Sequence, residues 1–240
     1  MDCVLVTGAT RGLGLAICRR LKNDGFRIIG VARSSSPDFE ALQSEDPALV
    51  FFEKFDLGQT QEIRNFAKKL TTAHGSIYGL VNNAAVGHDG VLATMHETQI
   101  SELIHINIES PIVLTKYLCR SMMLAQRGRI INISSIIAST GFNGLSVYGA
   151  TKSALTGFTQ SLARELGPVG ITVNTVAPGY METSMSQGLQ REKLATIKRR
   201  SPLGCLASAD DAAAAVSYLM SNDAARITGT VITVDGGSTA

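Results

Sequence analysis

The chain has 240 residues, 45% of them hydrophobic and 18% charged, with 23 glycines. This is long enough for one domain with a substantial core, and it excludes the fibrous and disordered classes. A formal charge of +2 is too small to imply nucleic acid or an anionic membrane as a partner, and no run approaches the ~20 apolar residues that span a bilayer.

The N-terminal residues read as a strand from the second position, DCVLVT, without a charged leader and cleavage site, so a cytoplasmic protein is expected. A glycine follows the strand at once. Gly12 to Leu21 then shows helical spacing in Leu13, Ala16, Ile17 and Leu21. Strand, glycine turn and helix form the opening of a βαβ unit. The turn is Thr7-Gly8-Ala9-Thr10-Arg11-Gly12-Leu13-Gly14. Its glycines permit positive φ and close approach of the backbone to a ligand, and the helix start offers unpaired N–H groups to a phosphate. The spacing G-x-x-x-G-x-G differs from the G-x-G-x-x-G of other dinucleotide-binding turns.

A second strand, Phe26 to Val31, ends at Ala32-Arg33-Ser34. In a dinucleotide-binding sheet this end meets the adenosine ribose, where a carboxylate would bind both hydroxyls and repel a 2′-phosphate. Here there is none. Arg33, with Arg11 on the turn, supplies charge-assisted partners for a 2′-phosphate, so NADP(H) is expected rather than NAD(H).

Residues 34–48 are polar, with Pro37 and Pro47, which fits a loop holding a short helix. Leu49 to Phe55 is a third strand ending at Asp56-Leu57, and Gln59 to Ala73 an amphipathic helix. A fourth strand from Ile77 to Val81 stops at Asn82-Asn83-Ala84-Ala85. Regular alternation of strands and helices gives an α/β fold with a doubly wound parallel sheet, whose ligands lie at the strand C-ends. Asp56 and Asn82 to Ala85 stand at such ends, where they either hold adenine and ribose or tie down a turn. Two helical stretches begin near Thr98 and Ser110, with Asn107 between Ile106 and Ile108 as either a kink or a hydrogen-bond relay.

Cys3, Cys18, Cys119 and Cys205 are scattered without a CxxC pair and read as buried thiols of a reducing compartment. His74, His88, His96 and His105 lack metal-ligand spacing, so surface roles and no metal ion are expected.

Ile130 to Leu162 carries the most chemistry. The apolar run Ile130, Ile131, Ile133 stops at Ser134 and Ser135, and a helical segment after a loop carries Tyr148 and Lys152. Four residues apart, tyrosine and lysine share one helix face. With a strand-end serine they suit proton transfer to or from an oxygen. Asn132-Ile133-Ser134 matches a glycosylation triplet but lies in a buried strand. The C-terminal third holds a sixth strand (Ile171 to Val176), a turn at Ala177-Pro178-Gly179-Tyr180-Met181-Glu182-Thr183, and a polar stretch at 184–202. After these come a helix from Ala207 to Met220 capped at Ser208, and a seventh strand from Thr230 to Val234.

Taken together, Gly8-x-x-x-Gly12-x-Gly14, Asn82-Asn83-Ala84, Ser135, Tyr148-x-x-x-Lys152 and the ending Val234-Asp235-Gly236-Gly237 resemble the short-chain dehydrogenase/reductase family over essentially all 240 residues. The resemblance implies a single Rossmann-type domain over 1–240, with about seven strands and helices on both faces. It selects Ser135 over Ser134, 13 residues before Tyr148, and makes Asn107 the fourth catalytic residue beside Ser135, Tyr148 and Lys152. It implies that Tyr148 protonates a carbonyl oxygen that Ser135 also holds. Lys152 binds the nicotinamide ribose and, with the oxidised ring, lowers the Tyr148 pKa, and Asn107 holds a water.

The resemblance also spreads the NADP(H) site over Gly8, Thr10, Arg11, Gly12, Leu13, Gly14, Arg33, Asp56, Leu57, Asn83, Ala84, Tyr148, Lys152, Pro178, Gly179 and Thr183. It makes 184–202 a substrate lid.

Within the family the chain looks most like 3-oxoacyl-acyl-carrier-protein reductases, which implies a 3-oxoacyl thioester substrate, an acyl carrier protein as partner, and a homotetramer. The positions where those reductases often carry basic residues hold Ala125, Gln126 and Val169, leaving Arg127 and Arg129 as the nearby cations. A small free ketone, a coenzyme-A thioester, a sugar alcohol, a hydroxysteroid or another secondary alcohol remain as alternative substrates. A dinucleotide-binding subunit without catalysis is the alternative of another class, and the Tyr–Lys spacing speaks against enoyl reduction. Leu155, Phe158 and Leu162 serve either a tetramer interface or the core of the chain itself.

Overall fold

The structure, a computed structural model, describes residues 1–181 and 198–240. In chain order the main elements are β1 (Cys3–Thr7), α1 (Gly12–Asn23), β2 (Arg27–Ala32), α2 (Pro37–Glu45), β3 (Val50–Lys54), α3 (Ile63–His74), β4 (Gly79–Asn82), α4 (Glu97–Ile104), α5 (Ser110–Ala125), β5 (Gly128–Ile133), α6 (Ile137–Thr140), α7 (Ser146–Leu166), β6 (Ile171–Pro178), α8 (Ala209–Met220) and β7 (Val231–Val234). Seven strands form one sheet in the order β3-β2-β1-β4-β5-β6-β7, and every pair is parallel.

Side-chain alternation in β1 shows how one sheet serves two cores. Val4 and Val6 face a cluster with Ile17 and Leu21 of α1, Phe39 and Leu42 of α2, and Val216 and Leu219 of α8. Cys3 and Leu5 face the opposite cluster, with Phe66 and Leu70 of α3, Leu114 and Leu118 of α5, and Leu162 and Leu166 of α7. Helices therefore cover both faces. Leu155 and Leu162 are buried and Phe158 packs half-buried against the second cluster, so these residues serve the core of the chain itself.

Winding runs outward from β1 in two directions, and the reversal falls between β1 and β4. At such a switch point the loops after the two strands diverge and leave a crevice beyond their C-ends. Here those loops are the glycine turn and Asn83-Ala84. The helices near Thr98 and Ser110 are α4 and α5, but no loop separates them. A π-helical segment at His105–Glu109 joins the two, with Asn107 buried inside it. π-bulges of this kind insert one extra residue per turn and re-aim a side chain.

Two expectations about individual side chains need correction. Only Cys3 and Cys18 are buried; Cys119 is half-buried and Cys205 exposed. His74 is not a surface residue: its side chain is 8% exposed, with Nε2 3.0 Å from Glu53 Oε1 and Nδ1 3.3 Å from an Arg27 nitrogen. A long-range contact between α3 and β3 draws it in, and no local pattern reports that.

Candidate active site

The glycine turn is shaped by what cannot fit in it. A Cβ on Gly14 would stand 2.1 Å from the Gly8 carbonyl oxygen and 2.7 Å from Asn83 Nδ2, so α1 closes on β1 only through glycine. Gly8 and Gly12 have φ of +64° and +53°, in the left-handed region. Thr7 then ties this turn to the loop after β4. Its Oγ1 accepts the Asn83 and Ala84 N–H groups at 2.9 and 3.0 Å and donates to Val81 O at 3.3 Å. Asn83 Nδ2 donates to Thr7 O at 2.8 Å. Asn83 and Ala84 are thus tied to the glycine turn and wall the crevice. Thr7 was missed in the sequence, where its only signal is a hydroxyl at a strand end before glycine.

Arg11 is the N-cap of α1 but provides no side-chain cap, and the first turn carries no acid. At α8, by contrast, Ser208 and Asp211 form a full capping box. The first N–H groups of α1 thus keep their positive end toward the crevice, which suits a phosphate. Leu13 and Gly14 are buried behind it, and Arg11 and Gly12 are exposed at its lip. Thr10 offers its carbonyl to Ser36 Oγ at 2.6 Å, which secures the turn to α2.

Beyond β2 and β3, Arg33, Lys54, Phe55, Asp56 and Gln59 line a cavity of ≈ 370 Å³. Asp56 Oδ1 accepts the Gly58 N–H at 3.0 Å, and Leu57 O accepts Ser110 Oγ at 2.6 Å. Nearby, Ser35 carries a buried hydroxyl without a protein partner. A cation-lined pocket, an uncapped helix start and an orphaned hydroxyl fit a phosphorylated adenosine.

The catalytic candidates gather around α7. Ser134 is buried, and its Oγ donates to Lys152 O at 2.8 Å, a purely internal bond. Ser135 is half-buried and accepts the Ile137 N–H at 3.3 Å, so its hydroxyl hydrogen is uncommitted. The geometry therefore separates the two serines as the resemblance does. Lys152 is 3% exposed, with Nζ donating to Ile133 O at 2.9 Å and lying 5.7 Å from the Tyr148 ring centroid.

Asn107 Nδ2 donates to Val86 O (2.9 Å) and Thr151 Oγ1 (3.2 Å), while its Oδ1 accepts the Val86 N–H (2.9 Å). Thr151 Oγ1 donates in turn to Tyr148 O at 2.8 Å. Thr151, a second residue missed from sequence, thus joins the π-segment to the tyrosine's own turn.

At Tyr148, burial, reinforced by the Asp89 carboxylate, pushes the phenol up to about 12. Burial also pushes Lys152 down to about 8, so its charge is itself disfavoured and does not overcome the tyrosine's desolvation.

Pro178 O accepts the Ile136 N–H at 3.0 Å, and Gly179 lets β6 approach Asp235, since a Cβ there would lie 2.7 Å from Asp235 Cβ. Thr183 and most of the expected lid at 184–202 lie outside the described residues. The lid's described end is anchored by Ser201 Oγ donating to Gly236 O at 2.7 Å. Among the described residues no group of three or more His, Cys, Asp and Glu could hold a metal ion.

Comparison with known proteins sets this geometry among relatives. A family model described as enoyl-(acyl carrier protein) reductase matches residues 8–239. A 3-oxoacyl-[acyl-carrier-protein] reductase of Vibrio cholerae serotype O1 is 37% identical over 238 residues, covering 97% of this chain and 95% of the relative. The chain belongs to the short-chain dehydrogenase/reductase family. The enzymes of the same description from Haemophilus influenzae and Escherichia coli K12 are 39% and 38% identical, covering 97% of this chain and 96% and 95% of their own lengths. Among solved structures, one titled "ElxO with NADP Bound" superposes on this short-chain dehydrogenase/reductase with a TM-score of 0.90 at 27% identity, covering 99% of this chain and 98% of the other.

The two cations near the expected carrier-docking positions are both engaged in this family member. Arg127 pairs with Asp2 at 2.6 Å and lies 4.7 Å from the Tyr78 ring centroid. Arg129 is 6% exposed, 5.6 Å from the same ring, with Nη1 donating to Gly128 O at 3.0 Å.

Proposed function

We propose that this chain catalyses the NADPH-dependent reduction of a 3-oxoacyl thioester to the 3-hydroxyacyl thioester. The observation that carries the reading is the half-buried Tyr148 beside the buried Lys152, backed by the Asn107–Thr151 bond, with the uncommitted Ser135 hydroxyl at the adjoining strand end. The 3-oxoacyl-[acyl-carrier-protein] reductase relatives supply the substrate class, and the NADP of the solved relative supplies the cofactor.

Gly8, Thr10, Gly12, Leu13 and Gly14 would hold the pyrophosphate against the start of α1, and Arg33 with Arg11 the 2′-phosphate. Asp56, Leu57, Asn83 and Ala84 would line the adenosine side, and Pro178, Gly179 and Thr183 the nicotinamide side. Bound NADPH supplies a hydride to the carbonyl carbon. Tyr148, a protonated phenol at neutral pH, gives its proton to the carbonyl oxygen, and Ser135 donates a hydrogen bond to that oxygen. Lys152 and Asn107 hold the path by which the phenol regains a proton.

The burial of Arg129 beside Tyr78 leaves Arg127 as the one exposed cation of the two and favours a second reading of the substrate: a thioester not delivered by a carrier at this surface, or a small ketone. The same proposal includes one domain over 1–240, a cytoplasmic setting and a homotetramer. Exposed Ile104, Met123, Leu124 and Val231 support the tetramer, and no helix among the described residues is long and apolar enough to cross a membrane. Turnover of acetoacetyl-CoA, an acetoacetyl carrier protein, simple ketones and secondary alcohols, compared as kcat/KM, tests the reading. A thioester should exceed every free ketone and alcohol by at least about tenfold, and a free ketone in the lead would replace it.

A further inference from the structure

Lys54 ends β3 and is the register partner of Ala32, the last residue of β2, while the Phe55 N–H bonds Ala32 O at 3.0 Å. Register partners in a parallel sheet stand one strand spacing apart and project from the same face. The lysine stem therefore rises beside the methyl of Ala32, at the place where a carboxylate would receive the ribose hydroxyls. Arg33 follows Ala32 directly, and both cations line the ≈ 370 Å³ cavity.

Glu53, the preceding residue of β3, is committed to Lys69 (2.8 Å) and His74 (3.0 Å). Asp56, the one acid lining the cavity, turns Oδ1 to the Gly58 N–H. Lys54 is exposed and makes no hydrogen bond or ion pair with the described residues. Two basic side chains at the ends of adjacent strands, neither with a hydrogen bond or ion pair among the described residues, make a site for a doubly charged anion.

We infer that Lys54 is a further determinant of cofactor choice, contributing its ammonium to the 2′-phosphate of NADPH beside Arg33 and Arg11. The inference rests on the NADPH reading above and assigns part of it to a residue of β3. Arg33 gives the planar, bidentate contact, while Lys54 gives a point charge from the opposite strand. A small residue at 32 is then required, because anything longer would fill the space between the two.

Calorimetric titration with 2′,5′-ADP and 5′-AMP, without turnover, tests this in the full chain. Lys54→Met keeps the length of the stem and removes the charge. It should weaken 2′,5′-ADP about five- to tenfold and 5′-AMP less than twofold, and Lys54→Arg should retain wild-type selectivity. If Lys54→Met leaves selectivity unchanged while Arg33→Met lowers it, the inference is overturned and NADPH recognition stands on Arg33 and Arg11. If the wild-type chain binds both nucleotides equally, the NADPH reading itself fails, and this inference with it.

Discussion

The two halves of the cleft are built by opposite means. On the cofactor side the chain works by omission: glycine at 14 where a Cβ would meet backbone at 2.1 Å, no side-chain cap on α1, and no acid at the end of β2. On the catalytic side it works by commitment. Of the proposed functional side chains, Lys152 and Asn107 are buried and Tyr148 is half-buried, and desolvation disfavours charge on the lysine and the phenol. Omission is tolerant of chemistry and intolerant of volume. Commitment is the reverse, since a buried ionisable group costs stability for as long as it is charged. Substitutions on the two sides should therefore fail differently.

The largest effect belongs to the catalytic side. Tyr148→Phe keeps ring and volume, so NADPH affinity should stay within about twofold of wild type while kcat falls about 10²–10⁴-fold. A stopped-flow assay with parallel fluorescence titration of NADPH measures both. Equal loss of binding and turnover would erase the contrast between the two halves. Gly14→Ala should show the converse. Its methyl must displace backbone, at about 1–3 kcal/mol in urea unfolding, with NADPH affinity lost alongside. Gly25→Ala is the control, with φ +88° and nothing within 4 Å, and should lose only about 1 kcal/mol.

Lys152→Met sharpens the contrast through pH. The folded pKa of about 8 lies below the ordinary 10.5, so burial destabilises the fold while the lysine is charged, and that penalty is relieved as pH rises from 8 toward 10.5. The variant should be inactive yet more stable at pH 7 by about 1–3 kcal/mol, and the gain should shrink by pH 10. Stability lost at pH 7 would contradict the picture of a strained catalytic lysine.

The smallest effect lies where the two halves are pinned together. His105 Nε2 meets Gly58 O at 2.7 Å and Nδ1 meets Glu109 Oε2 at 2.8 Å. Both partners accept hydrogen bonds, so both ring nitrogens must donate, and the backbone carbonyl and then Glu109 raise the His105 pKa. The added stability is fully present below the ordinary value near 6.5 and lost as pH rises through the higher folded value. His105→Gln should narrow the stability difference between pH 5.5 and pH 8.5 by on the order of 0.5 kcal/mol after solvent screening, read from urea midpoints. An unchanged difference would remove His105 from the account.

Features fixed by local geometry were legible in the sequence. Positive φ calls for glycine at 8 and 12, and helical spacing puts Tyr148 and Lys152 on one face. The apolar run of β1 with a glycine directly after it marks a strand and a turn. What was not legible depends on register and long-range burial. Lys54 acquires a role only because it falls opposite Ala32, and Thr151 only because a π-turn aims Asn107 at it. Arg129 looks like a free cation until Tyr78 covers it, and the direction of the Tyr148 pKa depends on how deeply the ring is buried and on Asp89.

The central claim is ketone reduction on a thioester, and the family model's description, which names enoyl reduction, gives it a direct competitor. Acetoacetyl-CoA and crotonyl-CoA, each supplied with NADPH and followed by product mass, decide between the two. The first should give 3-hydroxybutyryl-CoA, formed mole for mole with NADPH consumed, and the second no butyryl-CoA. Conversion of crotonyl-CoA to butyryl-CoA with an equal or greater kcat/KM would contradict the claim.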